Sequence, residues 1–168
     1  MSPNPSPNPP AAPVHVLIVE ARFYEDIADE LVRGAVAELE RTGATYERLS
    51  VPGAFEIPGA IAFVLRGMAG GAHRAAFDGF VALGCVIRGQ TTHYDYVCAE
   101  SARGLQELAL HDGAAVGYGI LTVENEAQAL VRAAPAERQT GGRDKGGEAV
   151  RACLALIELK RRFRGNEG

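Results

Sequence analysis

The stretch GCVIRGQTTHYDYVC, residues 84–98, gathers an arginine, two threonines and a histidine where an apolar run ends. Phe80 to Leu83 and Cys85 to Ile87 read as a buried strand, and Arg88-Gly89 stops it. Thr92 followed by Asp95 resembles a capping box, so a helix is expected to begin beside His93. The N–H groups of Gly89, Gln90 and Thr91 would then stand at a helix N-terminus, a natural seat for an anion. His93 there can exchange a proton near neutral pH, or it can be structural. Spacing alone leaves both readings open.

Other segments offer chemistry of the same kind. In VPGAFEIP the pair Pro52-Gly53 forces a turn and presents Phe55 and Glu56. Glu56 can hold hydroxyl groups there, or only charge a helix start favourably. EARF brings Phe23 to the end of a first strand, where its ring can stack on a flat ligand or pack. Tyr118 admits the same two readings. Arg132 suits bidentate phosphate contact and Lys145 a point charge, though alone each reads as an ordinary solvated cation. His15, His73 and His111 are not spaced as a ligand set, and no cysteine spacing suggests a metal. No Walker loop or dinucleotide glycine fingerprint is present, which removes support for a kinase or a dehydrogenase.

The elements that must position these residues alternate. Strand patterns cover 14–20, 44–51, 77–87 and 115–123, and the first and third are apolar enough to be buried on both faces. Helical periodicity covers 24–41, the stretch after Pro52-Gly53, 94–111, 124–134 and 145–163. Strand and helix alternating four times predict an α/β three-layer sandwich, a four-stranded parallel sheet with helices on both faces. Ligands on such sheets bind at the carboxyl ends of the strands, which selects the loops after 20, 51, 87 and 123.

Composition sets the outer limits. A chain of 168 residues is expected to be one domain. Residues 1–13 hold six of the nine prolines and read as an extended or disordered arm, leaving 14–168 as the domain. A net charge of -4 argues against nucleic-acid binding through a broad basic face. No apolar run is long enough to span a membrane, and the first residues do not read as a signal peptide. Cys85, Cys98 and Cys153 read as small buried hydrophobes in a reducing, cytoplasmic setting.

Taken in order, EARF, VPGAFEIP, ALGCVIRGQTTHYDYVC, GYGILTVENEAQA and DKGGEA resemble the 6,7-dimethyl-8-ribityllumazine synthase family from about Val14 to Phe163. The resemblance implies a flavodoxin-like fold and a transferase that needs no cofactor. Its two small-molecule substrates would be 5-amino-6-(D-ribitylamino)uracil and 3,4-dihydroxy-2-butanone 4-phosphate, and its products 6,7-dimethyl-8-ribityllumazine, phosphate and water. His93 would transfer protons and Phe23 would stack on the pyrimidinedione. Ala54, Phe55 and Glu56 would bind the ribityl chain and ring edge, and Cys85, Val86 and Ile87 would line the ring. Gln90 and Thr91 match the phosphate turn, assisted by Arg132, while Tyr118 and Lys145 match further pocket positions.

The resemblance also implies a homopentamer with active sites at subunit interfaces, with Phe23, Tyr118 and Arg132, or another subset, coming from the adjacent chain. Some members build larger hollow shells. A lengthened turn, APAERQTGG, and the proline arm favour an isolated pentamer here. Tyr118 stands where phenylalanine is usual, and Asp144 where asparagine is common. Two rival readings use the same scaffold. One is a non-catalytic flavin- or lumazine-binding paralogue, disfavoured because His93, Arg132 and Thr91 are all retained. The other is a flavodoxin-like electron carrier, disfavoured because ARFYED lacks a hydroxyl-rich phosphate loop.

Overall fold

The computed structural model describes residues 12–71, 76–134 and 142–164. Most of the proline arm, His73 and the tip of the lengthened turn therefore lie outside the described residues. Four strands, β1 (His15–Ala21), β2 (Thr45–Val51), β3 (Gly79–Ile87) and β4 (Val116–Val123), form one sheet in the order β2-β1-β3-β4. Every neighbouring pair is parallel, as the alternating pattern predicts.

The helices are α1 (Glu25–Thr42), α2 (Ile57–Ala69), α3 (His93–His111), α4 (Glu126–Ala133) and α5 (Lys145–Arg164). Because side chains alternate along a strand, β1 sends Val16 and Ile18 to one face and Leu17, Val19 and Ala21 to the other. The first set packs under α1, α4 and α5 through Leu31, Ala129 and Val150. The second packs under α2 and α3 through Ile57, Ile61, Val97 and Leu105. Two apolar layers thus flank the sheet, and β3 is buried over most of its length. β2 is an edge strand and largely exposed. Among the described residues no helix is long and apolar enough to cross a membrane.

Local signals set the ends of the elements. Gly43 takes φ 73, and the N–H groups of Gly43 and Ala44 return to Glu40 and Leu39, a close that left-handed glycine permits. Pro58 occupies the first turn of α2, where its missing N–H costs nothing. Asp144 caps α5: its Oδ1 accepts from the Gly147 N–H at 2.8 Å. The expected capping box at α3 is not formed. Thr92 is the N-cap but has helical backbone angles and no side-chain cap bond. The Thr91 hydroxyl instead accepts from the His93 N–H at 3.4 Å, and Asp95 turns to Arg88. A shorter acid than glutamate does not reach back to the N-cap amide.

The glycines of DKGGEA have a packing purpose. A Cβ at Gly146 would lie 2.0 Å from the Leu31 carbonyl oxygen of α1, so only hydrogen allows α1 and α5 to approach this closely. Gly146→Ala is expected to cost ~1–3 kcal/mol by overpacking, read as a lower urea midpoint at unchanged m-value. Gly67→Ala in α2, which meets nothing within 4 Å, is the control and should be neutral or stabilising. Equal losses in both variants would contradict the close-packing account.

Candidate active site

Three chain segments leave the sheet at neighbouring strand carboxyl ends and enclose a cleft of about 780 Å³. That size suits one small organic ligand. The segment after β1 contributes Phe23 and Tyr24, and the turn after β2 contributes Pro52 to Glu56. The end of β3 supplies Cys85, Val86 and Ile87, followed by Gly89, Thr91 and His93. The first turns of α3 close the remaining side with Tyr94, Tyr96, Val97 and Glu100.

The walls combine exposed rings with a few polar groups. Phe23 is 71% exposed and Phe55 56% exposed, and both point surface toward the opening rather than into the core. Large aromatics left open at a cleft mark a contact surface. A short 3-10 turn over Ala54–Glu56 buries Ala54 and leaves Glu56 out, with no hydrogen bond or ion pair from its carboxylate among the described residues. His93 is the first residue of α3 and exposed, so its ring stands where the helix N-terminus also offers unpaired N–H groups.

Cys85 lies in the wall but is 8% exposed, and burial pushes its thiol up to about 12. It is a neutral apolar surface at physiological pH, not a nucleophile.

Arg88 is placed to hold this turn together. Its Nε donates to Glu124 at 2.8 Å and its Nη1 to Asp95 at 3.3 Å. The guanidinium carbon lies 4.1 Å from the Tyr94 ring centroid, and the backbone N–H donates to Val123 at 3.0 Å. One side chain therefore ties the ends of β3 and β4 to the start of α3. Committed to two carboxylates and a ring, it is a brace for the loop bearing Thr91 and His93.

Most of the residues singled out in the sequence meet here: Phe23, Ala54, Phe55, Glu56, Cys85, Val86, Ile87, Thr91 and His93 all border the cleft. Gln90 is in the same turn but not on the cleft wall. Tyr118, Arg132 and Lys145 do not border the cleft within this chain. Tyr118 lines a second groove beside β4, between α3 and α5, and partial burial raises its hydroxyl pKa. Arg132 ends α4 with Nη1 donating to the Gln128 carbonyl at 3.0 Å, and Lys145 opens α5 paired with Glu148. Sequence reading had not singled out Tyr94, Tyr96 or Glu100. Helical spacing could have found Tyr96 and Glu100, which with Val97 follow His93 at intervals that repeat one face of α3, while Tyr94 offers no such signal.

Fold and cleft together define a flavodoxin-like α/β protein with a ligand-sized crevice at its strand carboxyl ends. The family model described as 6,7-dimethyl-8-ribityllumazine synthase matches residues 13–161. The chain is 57% identical to 6,7-dimethyl-8-ribityllumazine synthase 1 of Rhizobium meliloti (strain 1021), over 90% of this chain and 94% of that protein. It is 52% identical to the 6,7-dimethyl-8-ribityllumazine synthase of Agrobacterium fabrum, over 90% and 97%, and 54% identical to that of Erythrobacter litoralis, over 88% and 96%. The chain belongs to the 6,7-dimethyl-8-ribityllumazine synthase family.

Proposed function

We propose that this protein condenses 5-amino-6-(D-ribitylamino)uracil with 3,4-dihydroxy-2-butanone 4-phosphate to give 6,7-dimethyl-8-ribityllumazine, releasing phosphate and water. The observation that carries this reading is the cleft itself, where an open ring (Phe23), an unpaired carboxylate (Glu56) and a helix-end histidine (His93) face one ligand-sized space. Family membership supplies the reaction, and the cleft supplies groups suited to it.

In this reading Phe23 stacks on the pyrimidinedione, while Ile87 and Val86 form an apolar floor. Glu56 accepts hydrogen bonds from ribityl hydroxyls, a use for a carboxylate with no partner among the described residues. Thr91, on the cleft wall, holds the phosphate at the N-terminus of α3, where the amide groups favour an anion, and Gln90 contributes from the same turn just outside that wall. The primary amine of the uracil attacks the ketone, and loss of water gives an imine. Loss of the C3 proton expels phosphate and leaves an enol that tautomerises to a methyl ketone. Attack of the ribityl-bearing nitrogen on that carbonyl, with loss of a second water, closes the second ring. His93 carries protons between these steps from beside the phosphate. Holding two reactants in register supplies much of the acceleration, so no cofactor enters the scheme.

Tyr118, Arg132 and Lys145 complete the site from an adjacent chain in a homopentamer. Their positions away from this chain's own cleft support that arrangement, as do the exposed phenylalanines at its mouth. Residues 14–168 act as one domain, and the protein works in the cytoplasm.

Mixing the two substrates with purified protein should generate lumazine absorbance and one phosphate per turnover. His93→Ala should slow turnover by about tenfold to a thousandfold. Arg132→Ala should mainly raise KM for the butanone phosphate. A His93→Ala enzyme with undiminished turnover would remove its proton-transfer role. Sedimentation equilibrium should give the mass of a pentamer, and a particle many times heavier would overturn the isolated-pentamer assignment.

A further inference from the structure

Glu20 is a charged residue in an apolar place. It lies two positions beyond Ile18 on β1 and is 2% exposed. Its carboxylate accepts from Arg22 Nη1 at 3.1 Å, from Arg48 Nε at 3.0 Å and Nη2 at 3.1 Å, and from the Ser50 hydroxyl at 3.4 Å. The chain of contacts continues outward. Arg22 Nη2 donates to Asp29 Oδ1 at 2.7 Å on α1, and the Arg22 backbone N–H donates to Val51 at 3.2 Å. Two carboxylates and two guanidiniums balance, so the buried charge is fully partnered.

Stability does not require such a network. Burying ions costs desolvation that pairing only offsets, and apolar residues of similar volume commonly serve a core as well or better. Its geometry suggests another use. Arg22 is the first residue beyond β1, held by its side chain to Glu20 and Asp29 and by its backbone to β2. The next residue is Phe23, whose ring is 71% exposed and meets Tyr24 edge-on at 5.0 Å between centroids. An aromatic so exposed cannot be aimed by core packing. Its direction is set by the backbone that delivers it.

We propose that Glu20 and Arg22 are positioning residues for Phe23: the paired charges fix the exit of the chain from β1 and so hold an exposed ring at the cleft wall, ready for a flat heterocycle. The proposal rests on the reading of Phe23 as the stacking residue. Asp29 extends the same brace onto α1. The physical gain is preorganisation: a ring already fixed in its bound direction loses less freedom when the ligand arrives.

The test is a double-mutant cycle in steady-state kinetics with the full chain and both substrates. Glu20→Gln keeps the shape and removes the charge. It should raise KM for the ribitylaminouracil about tenfold, the order a single stacking contact is worth, and leave kcat and the butanone phosphate KM nearly unchanged. Phe23→Ala should raise the same KM at least as much, and the double variant should be no worse than Phe23→Ala alone. Asp29→Asn, on the surface of α1, is the second variant should Glu20→Gln fold poorly. It should raise the same KM by a smaller factor, and that rise should vanish in the Phe23→Ala background. Additive effects, or losses spread over kcat and both KM values, would overturn the positioning role. If Phe23→Ala itself left the ribitylaminouracil KM unchanged, the stacking assignment would fall and take this proposal with it. That outcome is distinct from a Phe23→Ala defect that Glu20→Gln and Asp29→Asn fail to share, which sinks the positioning role alone.

Discussion

Parallel strands place all their carboxyl ends on one edge of a sheet, and where adjacent crossovers run to opposite faces the loops part and leave a crevice. In this protein the parting falls between β1 and β3. The chain leaves β1 for α1 on one face, and it leaves β3 for α3 on the other. The segment after β1 therefore presents Phe23 from one side, and the turn after β3 presents Thr91 and His93 from the other. The turn after β2, leading to α2 on the α3 face, fills the floor with Ala54 and sets Glu56 at the edge. Moving β1, β2 or β3 in the order would separate these groups, so the order of those three strands is the constraint from which the cleft follows.

That crevice is open, and among the described residues no lysine or arginine borders it. Arg88, at its border in sequence, is committed to Glu124, Asp95 and the Tyr94 ring. Arg22 is committed to Glu20 and Asp29. Both arginines brace loops that carry other residues to the cleft. A phosphate-bearing substrate would meet helix N–H groups and hydroxyls within one chain, and Arg132 and Lys145 lie on elements that do not border that space. A site divided between chains, as proposed above, would bring further cations to a phosphate ester bound in a cleft whose neighbouring Arg22 and Arg88 are already paired.

Much of this was legible in the sequence because the physical signals are strong. Continuous apolar runs in β1 and β3 and four-residue periodicity in α1 gave the alternating pattern, and strand-end logic then selected the loops. Phe23, Glu56 and His93 stand at those mouths, but position alone left a packing or structural reading open for each, and their roles came from the family resemblance. Less legible features depend on distance across the fold. The brace made by Arg88 joins residues 36 positions apart, and Glu20 meets Arg48 across 28, with no local spacing to announce either. The capping expectation at Thr92 failed for a local reason: Asp95 had a competing partner in Arg88, and the first turn used the Thr91 hydroxyl instead. Nor does a linear pattern reveal that Tyr118, Arg132 and Lys145 stay clear of the cleft that the other singled-out residues border. That depends on which edge of the sheet β4 occupies.

The most direct test of a site divided between chains is complementation. Purified His93→Ala and Arg132→Ala proteins would be unfolded together, refolded as a mixture and assayed at a butanone phosphate concentration far below the Arg132→Ala KM, where both variants are impaired alone. If each site joins His93 of one chain to Arg132 of its neighbour, random assembly regenerates intact sites and about a quarter of wild-type activity. Activity no greater than the mean of the two separate variants would mean that His93 and Arg132 act within a single chain, or not in one site at all.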